Sequence, residues 1–204
     1  MDLTRGGFLR LGVAGAATAA GGAMGASAAF AAPPPARPIG DDIGFLTFGV
    51  VAERTSLALY KKTLTTPKLF DAGDRRRLAQ ARDAKVEHVQ RLNAALGADA
   101  VSADDYAVTF PKQSFASRRN AVALGVALEK LLVGVYVYGT GATSDIGSRE
   151  LIGRLLSVDN QVLSTLRAMN GNASIGGLPS PLDTEQAGDV LDKLLTIPGS
   201  PGGG

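Results

Sequence analysis

From residue 42 onward, apolar side chains recur at intervals of three and four, and no convincing run of alternating β-branched residues occurs. The pattern predicts helices. The first runs from Asp42 to Thr65, with Asp41 or Asp42 as N-cap and a stripe of Leu46, Val50, Glu53, Leu57, Tyr60 and Leu64. A second covers 73–96, aligns Leu78, Ala81, Lys85, His88, Leu92 and Ala95, and stops at Gly97. The third, 117–138, is apolar almost all round and is interrupted by Glu129-Lys130. The fourth, 148–170, aligns Ile152, Leu155, Asp159, Val162, Leu166 and Met169 before Gly171. A short fifth helix is expected over 184–195, capped by Asp183 or Thr184 and ended by Pro198.

Connection lengths set the topology. Short links join the first helix to the second and the third to the fourth, so each pair should be an antiparallel hairpin. About twenty residues, 97–116, separate the second helix from the third. A helix of this length spans ~36 Å, and twenty extended residues reach ~66 Å. That segment can therefore return along the whole bundle. The fold class expected is all-α, a four-helix bundle with one long crossover and a short C-terminal helix.

On each of the four long helices an ionisable residue stands where a core residue belongs: Glu53, Lys85 with His88, Glu129 and Asp159. Tyr60 follows Glu53 by seven residues, and Tyr136 follows Glu129 by seven. Glu53 and Glu129 are offset by 76, as are Tyr60 and Tyr136, while Lys85 and Asp159 are offset by 74, as are His88 and Val162. The chain reads as two related helix pairs whose polar groups meet at one level. Taken singly, each residue has a plainer explanation: a boundary glutamate, a satisfied histidine, a solvated Glu129-Lys130 break, an exposed Asp159-Asn160-Gln161 patch. The shared spacing raises the joint reading above these.

This pattern resembles the dinuclear carboxylate site of ferritin-like proteins, with Glu on the first and third helices and Glu-x-x-His on the second and fourth. The resemblance covers roughly residues 42–170. It is nearest to a family of exported bacterial ferritin-like domains, whose first helix ends near an aromatic-Tyr pair and whose second carries a His-Val-x-x-Leu segment. Leu59-Tyr60 and His88-Val89-Gln90-Arg91-Leu92 stand at those places. The resemblance implies metal ligands at Glu53, His88 and Glu129, with Asp159 a shortened equivalent. It also exposes two departures: Lys85 replaces a bridging carboxylate and Val162 an imidazole.

Three buried carboxylates without counter-charge would cost several kcal/mol each or take up protons. Lys85 supplies one positive charge at their level, and Tyr60 and Tyr136 can donate hydroxyl hydrogen bonds to them. The expectation is a relict cluster with no cofactor, in which lysine partly stands in for metal. Its alternative is a mononuclear Fe, Mn or Zn site of Glu53, His88, Glu129 and Asp159, with Lys85 swung away.

Composition narrows the rest. There is no cysteine and only one histidine, which excludes disulfides, thiol nucleophiles, Fe–S clusters and multi-histidine metal centres. The formal charge is +2, from 21 basic and 19 acidic residues, so no strongly basic face and no nucleic-acid partner is expected. Arg75-Arg76-Arg77 and Arg118-Arg119 read as solvated faces near helix starts. Gly139-Thr140-Gly141 lacks the context of a phosphate loop, and no nucleophile motif accompanies His88.

Residues 1–31 read as an export signal: Arg5 and Arg10, an uncharged Ala/Gly-rich run, then Ala29-Phe30-Ala31. Thr4-Arg5-Gly6-Gly7-Phe8-Leu9-Arg10 resembles the twin-arginine motif with Gly6 at the second arginine. The expected organisation is a signal over 1–31, a Pro-rich linker over 32–41, the bundle over 42–170, an extension over 171–197 and a disordered tail over 198–204. The mature protein would be extracytoplasmic, in the periplasm, cell envelope or medium, with no stable membrane span. A protein partner or homo-oligomer is left open.

Overall fold

The computed structural model describes residues 35–172 and 176–196. The expected export signal and C-terminal tail lie outside the described residues, as does the start of the linker. Four long helices form the bundle: α1 (Asp41–Thr65), α2 (Ala72–Leu96), α3 (Arg118–Ala142) and α4 (Ile146–Met169). A short α5 (Thr184–Leu191) follows. The all-α four-helix architecture is as the sequence pattern predicts.

Cap chemistry explains the boundaries and corrects several. Asp71, Ser117, Asp145 and Asp183 each accept a backbone N–H of the first helical turn, satisfying a donor the helix leaves free. Ser117 is therefore the cap of α3, which continues four residues beyond the expected end, and α4 starts two residues early. Neither Asp41 nor Asp42 caps α1; Gly40, at φ +55°, precedes it without a side-chain bond. Asp42 is buried and faces α4 instead, accepting the Ser144 and Asp145 N–H groups at 2.9 and 2.8 Å. Its carboxylate is spent fastening two helix starts together. Gly97 ends α2 at φ +59°, a conformation that favours glycine.

Helix α5 is shorter than expected because tertiary pairing takes over. A 3-10 turn over 192–194 leads into β2 (Leu195–Thr196), which pairs antiparallel with β1 (Ala107–Val108) in the crossover. The Thr109 N–H donates to the Leu194 carbonyl at 2.8 Å. Two-residue strands are too short to show a sequence period. Asn93 also anchors the crossover, accepting from the Val101 N–H at 3.0 Å and donating to its carbonyl at 3.3 Å.

Interhelix bonds fix the directions. Arg118, at the start of α3, donates to Asp74 near the start of α2 and to the Met169 carbonyl ending α4. Arg75 donates to the Leu64 carbonyl near the end of α1. Helices α2 and α3 therefore start at the same end of the bundle, where α1 and α4 finish, and the 97–117 segment runs its full length. Two apolar clusters fill the interior. Phe45, Leu46, Val50, Leu92, Leu132 and Ile152 belong to one, and Phe70, Leu78, Val122, Leu166 and Met169 to the other. The ionisable layer lies between them.

Two glycines should respond oppositely to alanine. Helical Gly→Ala ordinarily stabilises by ~1 kcal/mol. A methyl on Gly153 meets nothing within 4 Å, so Gly153→Ala should gain close to that amount. On Gly139 it would drive into the Phe45 ring, and overpacking typically costs about 1–3 kcal/mol. Gly139→Ala should therefore lower the urea midpoint while Gly153→Ala raises it.

Candidate functional site

At mid-length the four helices deliver Glu53, Lys85, His88, Glu129 and Asp159 to one layer, each buried. Lys85 stands at its centre. Its ammonium donates to Asp159 Oδ1 at 2.6 Å and Glu129 Oε2 at 2.9 Å, and lies 3.0 Å from Glu53 Oε2 without hydrogen-bond alignment. His88 Nδ1 is 3.0 Å from Glu53 Oε1 and 3.2 Å from Asp159 Oδ1. Lysine is not swung away; it ties together carboxylates from three helices.

The two tyrosines bond crosswise. Tyr60 donates to Glu129 Oε1 at 2.7 Å, and Tyr136 donates to Glu53 Oε1 at 2.8 Å. On antiparallel α1 and α3 the equal seven-residue offset sets each hydroxyl opposite the other helix's carboxylate. That offset was the sequence signal, but the crossing needed the helix directions. Val162 is half-buried against the apolar cluster around Leu166 and brings no ligand atom. Lys130 and Gln161 face solvent while their neighbours Glu129 and Asp159 are wholly enclosed. The explanations of Glu129 as a solvated break and Asp159 as an exposed patch therefore fail.

Burial and mutual charge set the protonation states. Burial alone would lower the Lys85 pKa, but Asp159, Glu129 and Glu53, in that order, outweigh it and hold the ammonium above its ordinary value. Burial likewise opposes charge on His88, and the Glu53 charge with bonds to Asp159 and Glu53 raises it to about 9. Burial pushes Glu129 up to about 7, against the pull of Lys85. Asp159 is raised by burial and then by Glu53. Burial would raise Glu53 too, yet Lys85 and His88 outweigh it and hold its carboxyl well below the usual range. Both tyrosines are pushed far up, by burial first and then by their carboxylate partners, so they act as donors.

Charge balance follows. Lys85 and His88 carry two positive charges against three carboxyl groups. One proton on the Glu129–Asp159 side brings the layer to zero. The cluster neutralises itself from the chain's own groups.

Dinuclear metal chemistry needs bridging oxygens and freely available donors. Here an ammonium lies among the three carboxylates, its own charge repels a divalent ion, and Val162 offers no nitrogen. These residues do not fit a dinuclear centre. The nearest approach to a metal site is Glu53, His88 and Asp159, which present one ligand atom each within 4.8 Å of one another. His88 would have to lose its proton to bind there.

No curated protein matches the chain. A family model described as a ferritin-like domain matches residues 41–172, from the first residue of α1 to just beyond α4. The match covers the helices that build the polar layer and more than half of the sequence. The chain belongs to the ferritin-like domain family.

Proposed function

We propose that this protein is an exported ferritin-like bundle whose core is closed by lysine rather than metal, serving a structural or interaction role in the cell envelope. The observation carrying this reading is the Lys85 ammonium, enclosed and 2.6–3.0 Å from three carboxylates. A divalent ion would have to displace it or share its space, and either choice leaves a buried cation without its partners. Each ionisable side chain of the layer is engaged by another of its members. Lys85 is held as an ammonium and cannot serve as a base, and the tyrosines are engaged as donors. The role that survives is to hold four helices in register and present their outer faces.

Elemental analysis of purified protein after exposure to Fe, Mn and Zn tests this. No stoichiometric metal is expected; two ions per chain with a large rise in Tm would overturn the reading. Lys85→Glu combined with Val162→His removes the internal cation and supplies both missing ligands. That variant should be less stable than wild type without metal and should gain Fe(II) or Mn(II) affinity, read by thermal unfolding with and without the ion.

Export rests on the leader pattern. Mass spectrometry of secreted or envelope material should find an N-terminus near Ala32, whereas an intact Met1 in soluble cytosolic protein would defeat it. The second reading is a metal-sequestering or redox protein, favoured by the convergence of Glu53, His88 and Asp159 and by Asp159 Oδ2, which has no hydrogen-bond donor. One tightly held ion per chain would establish it.

A further inference from the structure

The near-neutral net charge conceals a steep polarity along the bundle. The end where α1 and α4 finish and α2 and α3 start is made of segments 61–77, 112–119 and 160–172. They carry ten Lys or Arg against two Asp, a net of +8. Both acids have local work: Asp71 caps α2, and buried Asp74 pairs with Arg77 and Arg118. The opposite end and its flank, segments 35–45, 86–105, 138–150 and 183–193, carry four Lys or Arg against twelve Asp or Glu, a net of −8 with His88 set apart. Neutral overall, the protein is a charge dipole along its long axis.

We propose that the basic end is a docking surface for an anionic phospholipid bilayer. Its cations come from all four helices and the crossover and are spread across the whole end. Arg77 and Arg118 share a pocket, but there both pair with Asp74, and Lys62 and Lys112 line a separate one; the cations do not converge on one free pocket, as a small anion would require. Lys61, Lys62, Arg76 and Arg119 are exposed and form no ion pair among the described residues. Each Lys or Arg near an anionic membrane adds roughly fivefold to binding, and the contribution fades within a Debye length. The acidic end, repelled by the same surface, orients the bundle upright. Among the described residues, the helix ends and turns of the basic end expose no large apolar side chain, and Leu178, on the segment that leaves it, is the nearest, so the contact is adsorption rather than insertion. The same fact disfavours head-to-tail pairing, because among the described residues Ile39, Tyr138 and Ile146, exposed at the acidic end, would find only Leu178 as an apolar counterpart. Single-stranded nucleic acid would call for exposed aromatic rings, and Phe70 here is buried. The proposal needs a membrane face outside the cytoplasm, which the export reading supplies. Vesicle binding by purified protein is measured independently of that reading and of the core.

The test is co-sedimentation of the full chain with vesicles of phosphatidylcholine alone or mixed with phosphatidylglycerol. Any leader contribution is common to all variants, and binding to neutral vesicles is subtracted from each anionic measurement, so the leader cancels in both comparisons. Wild type should bind the anionic vesicles at low salt, bind neutral ones far less, and be released at about 0.5 M salt. Lys61→Glu, Lys62→Glu, Arg76→Glu and Arg119→Glu together should weaken binding at least about 100-fold. The pairs Lys61→Glu/Lys62→Glu and Arg76→Glu/Arg119→Glu should each give a partial loss with an unchanged melting curve, which guards against a misfolded quadruple variant. Asp41→Lys, Glu185→Lys and Asp189→Lys together, at the other end, should leave binding intact or raise it. Equal binding by wild type and the reversed variants, or equal binding to both vesicle types, would overturn the proposal. So would sedimentation without vesicles at low salt, which indicates self-association, or tighter binding to duplex DNA than to the anionic vesicles.

Discussion

Replacing Lys85 with methionine should destabilise the protein by about 3–5 kcal/mol, the range for removing one partner of a buried charge network. Methionine fills similar space, so the loss is electrostatic rather than a cavity effect. Glu53, Glu129 and Asp159 would face one another with only His88 for counter-charge, and further protons would have to bind. In a domain of this size each kcal/mol moves Tm by roughly 2–4 °C, so a fall of about 6–20 °C is expected. Urea unfolding of both proteins at neutral pH checks the free energy. A loss below about 1 kcal/mol would mean that the lysine is not the organising charge, and the metal-free reading would lose its support. Because the extra protons must come from solvent, the deficit should shrink as pH falls toward 5.

Stability should fall as pH rises from 6.5 to 9, by up to about 3 kcal/mol from His88 alone. Its folded pKa is raised from 6.5 to about 9, and each pH unit of difference is worth ~1.4 kcal/mol. A raised cationic pKa means the folded state holds the proton more tightly. The contribution is complete below 6.5 and lost as pH climbs to 9. Glu129, raised from 4.5 to about 7, acts with the same sign in an earlier window: its proton leaves between those values and takes stability with it. Glu53 is depressed, so its contribution exists above 4.5 and disappears as pH falls below. The cluster is therefore most favourable near pH 5. Urea midpoints from pH 4 to 10 should show the decline, and His88→Gln should remove the part between 6.5 and 9. A wild-type profile flat over that window would contradict the protonated-histidine network.

Both results bear on why the bundle keeps charges that a ferritin-like fold would otherwise spend on metal. Replacing a buried ion pair with hydrocarbon is often neutral or stabilising, whereas leaving one charge unpaired is costly. Once lysine occupies the layer, substitution of any single carboxylate strands the others. Lys85, Glu53, Glu129 and Asp159 are thus coupled, and only concerted change can remove them.

The sequence by itself determined the helices, the pairing into two hairpins and the crossover, because period, caps and link lengths are local properties of the chain. It also brought Glu53, Lys85, His88, Glu129 and Asp159 to the middle of the bundle, since each stands near the middle of its own helix on an apolar face. Tertiary structure decided what height alone leaves open. The direction in which Lys85 points depends on three carboxylates from other helices outweighing its loss of water. The crosswise Tyr60–Glu129 and Tyr136–Glu53 bonds depend on α1 and α3 being antiparallel. Asp42 left its expected cap because the start of α4 offered two backbone N–H groups, and α5 stopped short because its continuation found a strand partner in the crossover. Net charge, a sum without positions, showed no basic face. The fold gathered separated runs of Lys and Arg at one end, because hairpin reversal brings distant stretches of chain into one neighbourhood.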